Sequence, residues 1–321
     1  MISITPPTPF PNLNRRAARL LQQARDDADA LKIDVSESGT ATVLDFGVKA
    51  DGGLEAGLLL ARLCMAGLGR VELQNTCSRV DVPQVFVHTD HPIAACLQSQ
   101  YAGWKIATKD FFAMGSGPMR ALAGAESLYQ ELPAREDGSS AIGVLESAAL
   151  ATPAAISLIQ DQIGSEVPLS LAVAPTASIA GNLQVVARSV ETALHKLHEL
   201  HFPLHTIVSG CGTAPLPPVA KTDLAGIGRT NDSILYGAQV NLWVNCDNEV
   251  IEEFGPQTPS CSSPSHGTSF LELFVQANHD FYALDKSLFS PAVVIFHNLA
   301  SGDTYRFGRM VPELLLDSFG L

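Results

Sequence analysis

Residues 170–200 read SLAVAPTASIAGNLQVVARSVETALHKLHEL. Leu171-Ala172-Val173-Ala174 has the apolar run of a buried strand, and Pro175-Thr176-Ala177-Ser178 reads as a sharp exit loop with spare hydroxyls. After Gly181 the pattern becomes helical for about five turns. At about 100° per residue, Val186, Val190, Ala193, Leu194 and Leu197 share one face, and Gln184, Arg188, Glu191, His195 and His198 share the opposite one. A strand that turns through small residues into a helix is an α/β building unit, and such proteins place ligands where the strand ends.

Arg188 and Glu191 admit two readings. One is a solvated helix face with an ion pair worth about 0.3–0.5 kcal/mol. The other is a carboxylate base held by a guanidinium and aimed into a cleft. Arg preceding Glu is the less stabilising order for an isolated helix, and the helix leaves a strand through a ligand-type loop. Both points favour the second reading.

The chain has 321 residues, 46% hydrophobic and 17% charged, enough for a sizeable core and too apolar for disorder. A net charge of −13 argues against nucleic acid or an anionic membrane as partner, although local basic groups can still hold a small anion. The cysteines at 64, 77, 96, 211, 246 and 261 form no CxxC pair and read as small core residues in a reducing compartment. Prolines stand where a signal peptide would have its apolar core, and the best candidate span contains Pro153, so the expected location is cytoplasmic.

Strand and helix patterns alternate along the chain, which predicts an α/β class. Strands are expected at 41–48, 71–74, 85–88, 106–113, 141–146, 206–209 and 240–245, with a hairpin at 293–307. Helices are expected at 13–31 with Asn12 or Asn14 as a cap, at 54–68, 153–163 and 270–277, from Asp90 as N-cap to about Trp104, and as a broken segment over 220–236, with an irregular loop at 210–218. The units at 41–68 and 170–200 resemble each other in layout, which hints at two similar halves. The expected domains are 1–165 and 166–321.

Three further patterns bear on chemistry. Gly115-Ser116-Gly117-Pro118-Met119-Arg120 is a glycine turn feeding a helix, a candidate anion site with Arg120 close by, or else a tight turn without a ligand. It is not a dinucleotide fingerprint, because no acidic residue is placed for a ribose. His195, His198, His201 and His205 lie close together but match no HExxH spacing, so the expected metal content is none. There is no GxSxG and no Walker P-loop.

The chain as a whole resembles the methenyltetrahydromethanopterin cyclohydrolase family. The resemblance rests on DFGVKADGGLEAG (45–57), CMAGLG (64–69), TDHPIAACLQSQYAGW (89–104), FFAMGSGPMRAL (111–122), VAPTASIAG (173–181), VARSVETALHKLHEL (186–200), PLPPVAKTDLAGIGRTNDSILYG (215–237) and LFSPAVV (288–294). Met119 departs from the smaller residue expected there. The resemblance implies a two-domain α/β subunit with an interdomain cleft, assembled as a homotrimer without metal or prosthetic group. It implies reversible hydrolysis of the 5,10-methenyl form of tetrahydromethanopterin to the 5-formyl form, in the one-carbon metabolism of methanogenic archaea and methylotrophic bacteria. It places Arg188 and Glu191 as the groups that handle water.

For that chemistry Glu191 is the expected general base, and Arg188 should orient it while lowering its pKa. Tyr101 and Trp104 are candidates for a pterin wall, and Ser116 and Thr176 for hydrogen-bond donors. Gly115, Ser116, Gly117, Arg120 and Lys221 are candidates for the anionic tail. Two competing functions are a reduced-pterin carrier that does not hydrolyse its ligand, and a metal hydrolase built on His195 and His198.

Overall fold

The structure is a computed structural model and describes residues 12–75 and 79–321. Cys77 and the proline-rich first residues lie outside these. The chain begins with α1 (Leu13–Asp26), α2 (Ala28–Leu31), β1 (Asp34–Ser38), β2 (Ala41–Asp45), α3 (Leu54–Cys64), β3 (Arg70–Gln74) and β4 (Gln84–Thr89). A π-helix (Ile93–Gln100) follows, then β5 (Trp104–Ala107), β6 (Phe112–Ser116), α4 (Met119–Ala123), α5 (Leu128–Glu131), β7 (Ala141–Glu146) and α6 (Pro153–Ile163). Next come β8 (Leu169–Ala174), α7 (Ile179–Val186), α8 (Ser189–Glu199), β9 (Ile207–Pro215), α9 (Asp223–Gly237) and β10 (Gln239–Val244). The chain ends with α10 (Asn248–Phe254), α11 (Phe270–Gln276), β11 (Val293–Asn298), β12 (Thr304–Gly308) and α12 (Pro312–Phe319).

The α/β class is as expected, in the form of two six-stranded sheets. The first has the order β1-β2-β8-β7-β6-β5 and the second β12-β11-β10-β9-β4-β3. In the first, β2, β8 and β7 run parallel at the centre. Their sequences are near-continuous apolar runs because both faces are covered. Ala172 and Ala174 of β8 face a core shared with α1, α3 and α7, and Leu171 and Val173 face another shared with α6. The second sheet packs Val85, Val87, Val240, Leu242 and Phe296 against α8 and the π-helix.

The sheets take strands from both sides of residue 165. β8 follows that point yet lies between β2 and β7, while β3 and β4 precede it yet extend the sheet of β9–β12. A division at 165 therefore cuts through both sheets, and strand pairing cannot be read from sequence order alone. The two look-alike units are not separate halves either. β2 and β8 are parallel neighbours, with Ala41 opposite Leu169 and Asp45 opposite Val173, and their helices α3 and α7 pack together at Gly57 and Ala180.

Further expectations shift for identifiable reasons. The segment read as one strand at 106–113 is the antiparallel hairpin β5–β6. The proline- and glycine-rich stretch after 210 continues β9, because its small residues let α8 lie close: a Cβ at Gly212 would come 2.5 Å from Ser189 Oγ. The broken helix at 220–236 is the unbroken α9, capped by Thr222, whose side chain accepts from Ala225 N. Gly226 in α9 serves contact rather than termination; its Cβ would lie 3.2 Å from the Thr176 backbone. At the start of α1, Glu136 accepts from the Leu13 and Asn14 amides at 2.7 and 3.1 Å, and neither Asn12 nor Asn14 caps it.

At Gly181 a Cβ would sit 1.9 Å from Pro175 O. The loop from β8 can turn into α7 only without a side chain there. Gly181→Ala should lower the unfolding free energy by about 3 kcal/mol or more, within the range for forced backbone displacement. Gly53→Ala, with nothing within 4 Å of its Cβ, is the control and should cost much less. Equal denaturant midpoints for the two variants would refute the close approach.

Candidate active site

The helix expected from Asp90 to Trp104 is shorter and wider than predicted. Tyr101 N bonds to Cys96 O at 2.8 Å, the i→i+5 pattern of a π-helix, which is rare and frequent at functional sites. Asp90 does not cap it; its Oδ1 accepts from Ser209 Oγ at 2.8 Å. Trp104 instead opens β5, half-buried, packed on the core beneath α6.

Ala94 to Gln100 are all buried, so the carbonyls at the end of this helix have no water to bond. Side chains from distant segments supply the donors. Arg120 Nη1 lies 3.3 Å from both Leu97 O and Ser99 O. Tyr129 OH donates to Gln98 O at 2.8 Å, and Gly117 N to Ser99 O at 2.8 Å. Arg188 Nη1 donates to Gln100 O. Two guanidiniums thus meet the negative end of one helix.

Arg188 reaches that carbonyl because the predicted five-turn helix is two helices. α7 ends at Val186 and α8 begins at Ser189, with Arg188 between them at φ −89°, ψ 9°. Gln100 Nε2 bonds Ala187 O at 3.1 Å, holding the break against the π-helix. Arg188 Nη2 bonds Ser116 Oγ at 3.2 Å and Gln184 Oε1 at 3.1 Å, and approaches Cys64 Sγ at 4.0 Å. The stripe read as polar and opposite the core is therefore itself buried: Gln184 is 1%, Arg188 7% and Glu191 5% exposed.

Glu191 lies in the first turn of α8. No hydrogen bond or ion pair joins its carboxylate to any described residue, so the intrahelical Arg188–Glu191 pair does not form. Arg188 sits outside α8 and its guanidinium is drawn to the π-helix. Loss of hydration pushes the Glu191 carboxyl up to about 7, against the opposing pull of Arg188 and then Arg120. The expected depression by Arg188 exists but is outweighed.

Arg120 is 1% exposed and bound by both oxygens of Glu126, at 2.7 and 2.5 Å. The turn expected to cradle an anion is thereby occupied by the protein: Gly115 and Ser116 belong to β6, Gly117 N serves the π-helix, and α4 is a single short turn. Arg120 also lies 4.9 Å from the Tyr101 ring centroid. On Tyr101, His195 stacks at 4.5 Å and 17°. Burial pulls His195 down to about 4, so it is neutral near pH 7. His198 reaches Glu131 instead, at 3.0 Å, and no cluster of three or more metal-type ligands occurs among the described residues.

The structure therefore gathers Arg188, Glu191, Ser116, Tyr101 and Arg120 around the end of the π-helix. Thr176 is buried after β8 and donates to Glu146. Lys221 is exposed just before α9. Gln100, Glu126, Glu146 and Cys64 were not predicted. Glu126, six residues beyond Arg120, was the one a charge pattern could have suggested. Gln100 acts through a backbone carbonyl, for which no sequence signal exists.

A family model described as Cyclohydrolase (MCH) matches residues 12–319. The chain is 46% identical to the methenyltetrahydromethanopterin cyclohydrolase of Rhodopirellula baltica, over 97% of this chain and 96% of that protein. It is 42% identical to the protein of that name from Methylobacillus flagellatus, covering 98% and 97%. It is 39% identical to the one from Methanosarcina barkeri, covering 97% and 98%.

A carboxyl held at about 7, against its ordinary 4.5, binds its proton more tightly in the folded protein. Its contribution to stability is complete below pH 4.5 and is lost as pH rises to about 7. Glu191→Gln removes that loss. The variant should gain about 3 kcal/mol in unfolding free energy relative to the parent on moving from pH 4.5 to pH 8. Denaturant titrations at both pH values measure the difference, and a constant gap would refute the elevated titration.

Proposed function

This chain belongs to the methenyltetrahydromethanopterin cyclohydrolase family, and we propose that it hydrolyses the 5,10-methenyl form of tetrahydromethanopterin reversibly to the 5-formyl form. The observation that carries the mechanism is Glu191: a buried carboxylate with no protein partner, poised near neutral pH beside a fixed guanidinium. The reacting carbon lies in an N–C–N cation and is already electrophilic, so the reaction needs a positioned water and a group to accept its proton rather than a Lewis acid or prosthetic group.

In this reading Glu191 takes a proton from water as its oxygen bonds the ring carbon. The tetrahedral adduct, now a C–OH, then opens: its hydroxyl proton leaves as the C=O forms, the C–N10 bond breaks and N10 takes up a proton. N5 keeps the formyl group, and the one proton released overall is that taken by Glu191 from water. A base poised near 7 suits catalysis at neutral pH. Arg188 orients water and carboxylate and stabilises the developing oxygen charge; its own bonds to Gln100 O, Ser116 and Gln184 keep it from collapsing onto Glu191. Neutral His195 and Tyr101 offer a flat, uncharged surface for the pterin. Gly115, Gly117 and Arg120 are internal ties rather than tail contacts. Trp104 packs on a different core from Tyr101, and exposed Lys221 remains the cation offered to the anionic tail.

We further propose a cytoplasmic homotrimer, with each subunit binding its substrate in a cleft between its two sheet systems. No helix among the described residues is long and apolar enough to cross a membrane.

Two measurements test the mechanism. In the hydrolytic direction kcat/KM should rise about tenfold per pH unit up to about 7 and then level. The rise in kcat should lie at lower pH, because the bound cation favours ionised Glu191. Glu191→Gln should lose about 10²–10⁴-fold in kcat with little change in KM, and turnover should survive a strong chelator. Binding without turnover would identify a carrier, and loss of activity with the chelator a metal hydrolase.

A further inference from the structure

A second carboxylate borders the cluster. Ser116 Oγ, which holds Arg188 Nη2, also donates to Val144 O at 3.3 Å. Glu146 lies two residues further along β7, on the same face and about 7 Å away along the strand. It ends that strand, opposite Ala174 at the end of the parallel strand β8, the edge where α/β sheets place ligands. The buried hydroxyl of Thr176 donates to Glu146 Oε1. Glu146 itself is half-buried, and among the described residues no lysine, arginine or histidine lies within 4 Å of it.

Charge balance gives this carboxylate a purpose. Arg120 is paired with Glu126, and ionised Glu191 offsets the charge of Arg188 through space, without contact. Without Glu146 the site presents no net charge to an entering cation. With it, one negative charge remains for one positive ring. Its field also reaches Cys64, whose sulfur is 3.5 Å from Ser116 Oγ.

We propose that Glu146 selects the cationic form of the substrate, with Thr176 as the positioning residue that turns its carboxylate toward the site. This rests on the cyclohydrolase reading above, in which the methenyl form is a cation and the formyl form is neutral at the same centre. Glu191 handles the water, and Glu146 pairs with the ring charge before reaction and loses that partner when the ring opens.

Steady-state kinetics in both directions test this, with the methenyl and 5-formyl forms as substrates. Glu146→Gln should raise KM for the methenyl form about tenfold, the scale of one charge pairing in a partly buried site, and leave KM for the formyl form unchanged. Because the equilibrium constant of the reaction is fixed, kcat/KM in the formyl direction must fall in step with that in the methenyl direction. Thr176→Val keeps the charge but frees the carboxylate, and should move the methenyl KM in the same direction by a smaller factor. It also serves if Glu146→Gln does not fold. Equal changes in both KM values, or none in either variant, would overturn the proposal while leaving the cyclohydrolase reading intact. No turnover by the unsubstituted protein would overturn that reading, and this one with it.

Discussion

The buried end of the π-helix is the constraint on which the rest depends. Four consecutive carbonyls, from Leu97 to Gln100, finish inside the protein, and each requires a donor that water cannot supply. Arg120, Tyr129, Gly117 and Arg188 provide them. Any one left unpaired would cost about 1–3 kcal/mol. The requirement ties β6, α4, α5 and the α7–α8 junction to one point. It also imports two fixed positive charges, which the helix dipole offsets in part and Glu126 offsets further.

Glu191 is governed by the same arrangement. A carboxylate this buried would ordinarily be neutralised by a close partner. Here the nearest guanidinium is committed to a carbonyl, a hydroxyl and an amide oxygen. Arg188 can still favour the charged form through space, but less than burial opposes it. A carboxyl near neutrality results from two large opposing effects, which is how active sites keep a base both available and protonatable. The cost falls on stability, since the ionised form is held without a hydrogen bond from the protein.

The break at Ala187 and Arg188 has a topological cause. α7 packs on α3 over the first sheet, while α8 packs on the π-helix and the second sheet. A straight helix could not serve both layers. Arg188 stands where the chain passes from one sheet system to the other, so the residue that caps the π-helix also lies between the two cores. Because β8 and the β3–β4 pair are exchanged relative to sequence order, the chain crosses between these layers three times, after β2, β4 and β8.

Much was legible in the residues themselves. Apolar runs marked β2, β7 and β8, because strands covered on both faces leave no room for polar side chains. Helical spacing marked α3, α6 and α11, and the motif strings singled out Arg188 and Glu191 together with their family. What the residues could not show depends on partners far away in the chain. The sequestration of Arg120, the bond from Arg188 to a carbonyl 88 residues earlier, the failure of the Arg188–Glu191 pair and the crossing of strands between sheets are all of this kind. Periodicity reports which face of an element is apolar; only the folded chain decides what that face meets, which charges lose their water, and hence which carboxyl waits near neutral pH.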